Sequence, residues 1–271
     1  MLATPAMADD SPPVKPLEVG IVPYLSARVL VTSYEPMRHY LEKALHRPVK
    51  IYTAAGFKQF FLNAQHGDYD LILSAAHFAR ILQKDNQYTP VARFAAVNHA
   101  LIVTALNSPI KSIQDLRGQT IAVPDRLSLS SVVVLSYLRD AGLQPDIDLH
   151  LLEVPSFASA IFSLQKGHAT AAISAPGILT QMPKELSKSV KTLNDAGEFL
   201  RLVILTHPRI GKKYADRIKQ ALFKFGSEST EGKQFLTRTG AGAIIPVTAK
   251  DMESLDQYIF ETKRLIKETH E

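Results

Sequence analysis

A cluster of hydroxyl side chains at residues 128–131 carries the clearest chemistry in this sequence. Ser128, Ser130 and Ser131 lie in a polar turn between an apolar run and a helical pattern. The first turn of a helix has backbone N–H groups without intrahelical acceptors, and such groups attract anions. Together with the serine hydroxyls, they predict a neutral cradle for an oxyanion. The alternative is that Ser128 or Ser130 only caps the helix.

Three further turns carry polar side chains that could contact the same ligand. Ser74 ends an apolar run and is followed by a helical pattern that contains His77 in its first turn. Tyr24 follows the first apolar run and Thr53 ends the second, so each could donate a hydroxyl. A lone histidine is more often structural, and a loop tyrosine is often simply exposed. Both interpretations stay open for His77 and Tyr24.

These turns belong to a regular alternation of strand and helix patterns. Predicted strands lie at residues 17–23, 49–53, 69–74, 119–124, 149–154, 169–174 and 201–206. Predicted helices lie at residues 33–46, 57–66, 75–84, 128–141, 157–166, 210–225, 230–238 and 249–268. Such alternation predicts parallel sheets covered by helices, in which ligands bind at the carboxyl ends of strands.

The two halves of the chain share a weak internal similarity. Residues 57–75 and 157–175 both read Phe, then Gln-x-Gly, then Ser-Ala at the same spacing. If a module has been duplicated, Ser74 and Ser174 each end a strand, and the two strands face one cleft. Chance similarity between two helix–turn–strand units is the alternative.

Composition sets the broad class of the protein. The chain has 271 residues, a length that predicts about two domains, and 46% hydrophobic and 21% charged residues are typical of a soluble globular protein. The formal net charge of +5 is spread along the chain, so nucleic-acid binding is not expected, whereas a mild positive field favours small anions. There is no cysteine, which excludes disulfides and thiolate metal sites.

No enzyme signature is present. The histidines have no metal-ligand spacing, and the sequence contains neither a nucleophile elbow nor a phosphate-binding Walker loop. We therefore expect no metal, no cofactor and no catalytic residue, and we interpret the protein as a binding protein rather than an enzyme.

The N-terminus resembles the end of a secretory signal. Ala6 and Ala8 occupy the two small-residue positions of a cleavage site, although no apolar core precedes them. We therefore predict an exported, periplasmic protein whose signal peptide is largely absent from this chain. A frayed Ala/Pro-rich terminus is the alternative. No apolar stretch approaches the roughly 18 residues of a membrane-spanning helix.

Four segments in a fixed order resemble one known family. They are residues 34–43, 67–71, 108–118 and 240–251, with the serine turn between the third and the fourth. Together they are similar to the phosphate, phosphite and phosphonate-binding proteins of bacterial ABC uptake systems, which have the type II periplasmic binding protein fold. The resemblance covers most of the chain.

The resemblance implies an α/β protein of two lobes, each a mostly parallel sheet flanked by helices, joined by two crossover strands. Residues 1–16 would be the signal remnant, 17–98 and 207–271 lobe one, 107–200 lobe two, and 99–106 and 201–206 the hinge strands. It also implies a monomer that closes over a small anionic ligand and delivers it to an ABC permease.

The sequence departs from the family at several positions of the implied pocket. The family's Ser-Thr-Ser-Gly turn aligns with residues 128–131, which keep two serines but lose the threonine and the glycine. A family tyrosine is Phe57 here, a Ser-His pair is Ser156-Phe157, and an acidic-aromatic pair is Ser174-Ala175. Fewer donors and no carboxylate imply a more apolar or monoanionic solute than an aminophosphonate.

The sequence thus predicts a periplasmic protein that captures a small oxyanion, such as phosphate, phosphite or phosphonate, for ABC-transporter uptake. The candidate ligand-binding residues are Ser128, Ser130, Ser131, Ser74, His77, Thr53, Tyr24, Phe57, Phe157 and Ser174. Phe57 and Phe157 would form apolar walls. The alternatives are the sensing domain of a receptor, with a signalling partner in place of the permease, and a small-molecule enzyme on the same fold.

Overall fold

The computed structural model describes residues 15–268, in which strands and helices alternate. The strands are β1 (Leu17–Ile21), β2 (Val49–Tyr52), β3 (Leu71–Ala75), β4 (Thr89–Phe94), β5 (Val97–Ala105), β6 (Thr120–Val123), β7 (His150–Glu153), β8 (Ala171–Ser174), β9 (Val190–Leu200), β10 (Leu202–Thr206) and β11 (Ile244–Ile245). The helices are α1 (Ala27–Leu45), α2 (Phe57–His66), α3 (Ala76–Asn86), α4 (Leu129–Asp140), α5 (Phe157–Gln165), α6 (Pro176–Gln181), α7 (Lys184–Ser187), α8 (Lys212–Ser227), α9 (Thr230–Thr239), α10 (Ala249–Glu253) and α11 (Ile259–Glu268).

The described strands form two mixed sheets flanked by helices. Sheet one has the order β11-β4-β10-β3-β1-β2, and sheet two has the order β7-β6-β8-β5-β9. β1 pairs in parallel with β2 and β3, and β6 pairs in parallel with β7 and β8. β5 is the first strand that the chain forms in sheet two, and β10 is the first that it forms after returning to sheet one. Both pair antiparallel with their neighbours. This architecture confirms the predicted α/β fold, although the sheets are mixed rather than mostly parallel as predicted.

The chain crosses between the sheets twice. It leaves sheet one after Phe94 and enters sheet two at Val97, and it returns through Arg201, which separates β9 from β10. The segments predicted as hinge strands, residues 99–106 and 201–206, overlap β5 and β10 and lie within the sheets. Their role as hinges, like the predicted lobe boundaries, stays a prediction.

The core extends across both sheets. Buried side chains of β1 and β3 belong to the same apolar cluster as the buried face of α4, and a smaller cluster lies around β8 and α5. This continuous packing fixes the carboxyl ends of the central strands of one sheet against those of the other.

Several elements differ from the sequence prediction. α1 begins at Ala27 rather than at residue 33, and Pro36 lies within the helix. A proline in a helix interior removes one backbone hydrogen bond, but the buried apolar face that includes Leu30 and Met37 continues on both sides of it. β4, β9, β11, α6 and α7 were not predicted, and the single predicted helix at 249–268 is divided into α10 and α11.

Ala6 and Ala8, the residues on which the predicted signal remnant depends, lie outside the described residues. Between residues 15 and 268, no helix is long and apolar enough to cross a membrane.

Gly20 of β1 is expected to be intolerant of a side chain. A Cβ atom there would lie 2.5 Å from the buried Tyr69 ring, which is itself stacked on Phe60. We expect Gly20→Ala to lower the free energy of unfolding by about 1–3 kcal/mol through overpacking, as measured by urea denaturation.

Gly226→Ala in α8 is the matched control for this substitution. Its Cβ would meet neighbours at an ordinary 3.5 Å, so the change should be neutral or stabilise the helix by up to about 1 kcal/mol. Equal stability of the two variants would contradict the packing described for Gly20.

Candidate ligand-binding cavity between the sheets

A cavity of about 440 Å³ lies where the carboxyl ends of strands from the two sheets meet. Sheet one contributes residues that follow or end β1 and β3, and sheet two contributes residues that follow β6, β7 and β8. The apolar lining residues are Val22, Phe57, Ala75, Val97, Leu129, Phe157, Ala175, Pro176, Ile178, Phe199 and Leu202. The other lining residues are Tyr24, Asn98, His99, Ser128, Ser130, Gly177, Thr180, Arg201, Thr237, Arg238, Thr239 and Gly240.

Four helices begin at this cavity, the short α6 and three longer ones. Phe57, Leu129 and Phe157 are the first residues of α2, α4 and α5, and each of them lines it. The helices converge because each follows the carboxyl end of a parallel strand. A helix N-terminus carries partial positive charge, so the cavity favours an anion.

The first turn of α4 offers free donors to the cavity. Ser128 caps the helix by accepting from the Ser131 backbone N–H at 3.2 Å, and the two hydroxyl oxygens lie 2.8 Å apart. Ser130 is only 5% exposed and lines the cavity, yet its hydroxyl has no hydrogen-bond partner among residues 15–268. The backbone N–H groups of Leu129 and Ser130 likewise donate to no described acceptor.

Arg201 supplies a full positive charge. Its half-buried side chain lines the cavity, donates from Nη1 to the Gly240 carbonyl oxygen at 2.8 Å and contacts the Tyr24 hydroxyl. Burial raises the pKa of Tyr24, whose hydroxyl lies 3.0 Å from that of Tyr34. No carboxylate of the described chain forms an ion pair with Arg201.

Acidic side chains do not line the described cavity. At its edge, His99 Nδ1 lies 2.7 Å from a carboxylate oxygen of Asp195, a residue that is about half exposed and is not part of the lining. The electrostatic character of the cavity therefore comes from Arg201, Arg238 and the helix N-termini.

Two contacts join the sheets beside the serine turn. His77 Nε2 on α3 donates to the Leu127 carbonyl oxygen at 3.0 Å. The Asp125 carboxylate accepts from the Leu127 backbone N–H at 2.7 Å and lies against the backbone N–H of Phe57. Because Asp125 and Leu127 follow β6 of sheet two, whereas Phe57 and His77 flank sheet one, these contacts join the two sheets beside the cavity. Burial is the main reason that the pKa of Asp125 is raised.

His77 is a neutral side chain in this position. It is fully buried, and burial lowers its pKa to about 3. A carbonyl oxygen can only accept a hydrogen bond, so Nε2 carries the proton. Nδ1 has no partner within the described residues.

The structure brings five of the ten candidate residues to the cavity surface, namely Tyr24, Phe57, Ser128, Ser130 and Phe157. The other five, Ser131, Ser74, His77, Thr53 and Ser174, do not line it. Ser131 bonds to Ser128, Thr53 donates to the Ile21 carbonyl oxygen at 2.8 Å, and Ser74 donates to the carbonyl oxygen of Ala75 at 3.1 Å.

The alternation of side chains in a strand explains the position of the two predicted strand-end serines. Ser74 and Ser174 are fully buried within β3 and β8, whereas the next residues, Ala75 and Ala175, line the cavity. Successive side chains of a strand point to opposite faces. The residue after each serine therefore faces the cavity, which receives an alanine methyl group there instead of a serine hydroxyl.

Sequence reasoning missed Arg201, Phe199 and the end of α9 at residues 237–240. Arg201 was visible only as a charged residue at the start of an apolar run. The resemblance implied a crossover at residues 201–206, but nothing in the spacing indicated that the Arg201 side chain lines the cavity.

The fold is a two-sheet architecture of the periplasmic binding protein type, with a cavity between the sheets. Residues 19–252 match the family described as "ABC transporter, phosphonate, periplasmic substrate-binding protein". The chain therefore belongs to this family of periplasmic substrate-binding proteins. No curated protein matches the chain.

Solved structures share the fold. PhnD1 from Prochlorococcus marinus in complex with methylphosphonate is similar with a TM-score of 0.80 at 15% identity, covering 92% of this chain and 98% of that one. XAC2383 from Xanthomonas citri bound to ATP is similar with a TM-score of 0.78 at 17% identity, covering 94% of this chain and 99% of that one. The periplasmic aliphatic sulphonate binding protein SsuA from Escherichia coli has a TM-score of 0.65 at 18% identity, covering 93% of this chain and 88% of that one.

The buried His77 predicts a dependence of stability on pH. Its pKa in the folded protein is about 3, below the ordinary value of 6.5. The contribution of neutral His77 to the free energy of unfolding is therefore fully present above pH 6.5 and is lost as the pH falls towards 3. One such proton adds a slope of at most about 1.4 kcal/mol per pH unit. We expect His77→Gln to have a shallower decline in the free energy of unfolding between pH 6.5 and 4 than the unmodified protein.

The exposed His150 provides the control. Denaturant titrations at a series of pH values should give His150→Gln the same slope as the unmodified protein. If His77→Gln also kept that slope, the histidine would not be buried and neutral as described.

Proposed function

We propose that this chain is the exported ligand-capturing component of an ABC importer, and that it binds a small oxyanion such as phosphate, phosphite or a phosphonate in the cavity between the sheets. The bound protein then delivers the ligand to its permease. Membership of the substrate-binding family supports the general role, and the chemistry of the cavity supports the class of ligand.

The observation that carries the proposal is a half-buried cation without a counter-ion. Arg201 bonds only to polar neutral groups of the described chain, the Gly240 carbonyl and the Tyr24 hydroxyl. A partly buried charge is costly unless it is paired, so the cavity is best satisfied when a ligand supplies the negative charge. The free donors of Leu129 and Ser130 can then complete the coordination of its oxygens.

The same contacts couple binding to closure of the cavity. The donors of α4 follow directly after Asp125 and Leu127, which bridge to α2 and α3. A ligand held by both Arg201 and α4 adds a further link between the sheets. Hinge closure around a ligand is a common conformational change in periplasmic binding proteins, and these links would favour the closed form.

Removing either ligand-facing donor is expected to weaken binding. Hydrogen bonds to charged groups contribute about 1.5–3 kcal/mol, so Arg201→Gln or Ser130→Ala should each raise the Kd of the best-bound oxyanion by about tenfold or more. The panel for isothermal titration calorimetry contains phosphate, phosphite, sulfate and methylphosphonate.

Two variants test whether the effect is specific to the cavity. Arg217→Gln removes an exposed guanidinium on α8, and Ser136→Ala removes a hydroxyl from the same helix as Ser130. Both should bind as the unmodified protein does. Unchanged binding in Arg201→Gln and Ser130→Ala, or equal losses in the controls, would rule out the proposed oxyanion site.

A further inference from the structure

We propose that the ligand of this cavity is an oxyanion that carries an apolar body about the size of an aromatic ring and no ammonium group. This inference rests on the proposed function, because it assigns the anionic head to Arg201 and α4. It adds the chemistry of the remainder of the ligand, which the shape and the walls of the cavity define.

The cavity is larger than a minimal oxyanion requires. Its volume of about 440 Å³ lies within the range of about 300–1,000 Å³ that is typical of pockets for drug-sized ligands. Phosphate or methylphosphonate would fill a small part of this space and would leave the remainder to water. A ligand that fills the cavity needs a substantial body beyond its charged head.

The walls around that space are mainly apolar, although polar side chains such as Asn98 and Thr180 also line them. Phe57, Phe157 and Phe199 come from α2, α5 and β9, and aliphatic side chains, among them Val22 after β1 and Ile178 on α6, add to the apolar surface. Water beside such walls has few hydrogen-bond partners, so an apolar group that displaces it is favoured. Rings on both sides of the cavity suit a flat or bulky hydrocarbon body.

An ammonium group on the ligand would find no counter-ion. No Asp or Glu lines the described cavity, and Arg201 and Arg238 add positive charge to it. Two acidic groups close to the cavity are engaged, Asp125 with two backbone N–H groups and Asp195 with His99. A zwitterionic ligand would therefore lose the hydration of its ammonium without compensation.

Calorimetric titration of two matched pairs of ligands tests the body and the charge separately. Benzylphosphonate and methylphosphonate share a head and differ in the body, and we expect benzylphosphonate to bind at least tenfold more tightly. Propylphosphonate and 2-aminoethylphosphonate have nearly the same shape but exchange a methyl group for an ammonium, and we expect propylphosphonate to bind at least tenfold more tightly.

A pair of variants on α5 locates the body in the cavity. Phe157 is half-buried and lines the cavity, whereas Phe162 lies on the same helix with half of its surface exposed and outside the lining. Phe157→Ala should raise the Kd of benzylphosphonate at least fivefold and leave the Kd of methylphosphonate nearly unchanged. Phe162→Ala should change neither Kd.

The outcomes separate this inference from the proposed function. Binding of none of the four phosphonates would overturn this inference, and it would overturn the proposed function as well if phosphate, phosphite and sulfate also failed to bind. If methylphosphonate binds as tightly as benzylphosphonate, or 2-aminoethylphosphonate as tightly as propylphosphonate, the oxyanion site stands and the apolar, uncharged body is wrong. An equal loss of both methylphosphonate and benzylphosphonate in Phe157→Ala would also contradict the placement of the body.

Discussion

The charge of Arg201, half-buried and without an acidic partner in the described chain, is the constraint on which the site depends. Arg201 is the single residue between β9 and β10, where the chain returns from sheet two to sheet one. Its side chain is therefore placed by the topology itself. Because the cavity around it is mainly apolar, this cation determines the sign of the charge that a ligand must bring.

The remaining donors follow from the way parallel strands connect to helices. α2, α4 and α5 each begin where a parallel strand ends, so their N-termini point to one place without any dedicated side chain. Phe57 and Phe157 occupy positions where the resemblance implies a tyrosine and a histidine. In the proposed function, the backbone therefore supplies a general anion site, and the side chains decide which anion fits.

Much of the fold was predictable from the sequence, whereas only part of the site was. Apolar runs such as residues 17–21, and helices ended by glycines such as Gly67, have local patterns that packing reinforces. β9 is a mainly half-buried edge strand with several polar residues, so its pattern carries little signal. Ser128 and Ser130 were found from the local chemistry of a helix start. Arg201 was not found, although a crossover was predicted at residues 201–206, because the direction of its side chain depends on how the two sheets pack.

A crystal structure of the protein with benzylphosphonate would test the central claim most directly. The account predicts that phosphonate oxygens lie within hydrogen-bond distance of the Arg201 guanidinium and of the Leu129 and Ser130 backbone N–H groups, with the ring between Phe57 and Phe157. A ligand bound elsewhere would contradict the account. So would a ligand in the cavity with its ring against α4 and its phosphonate away from Arg201.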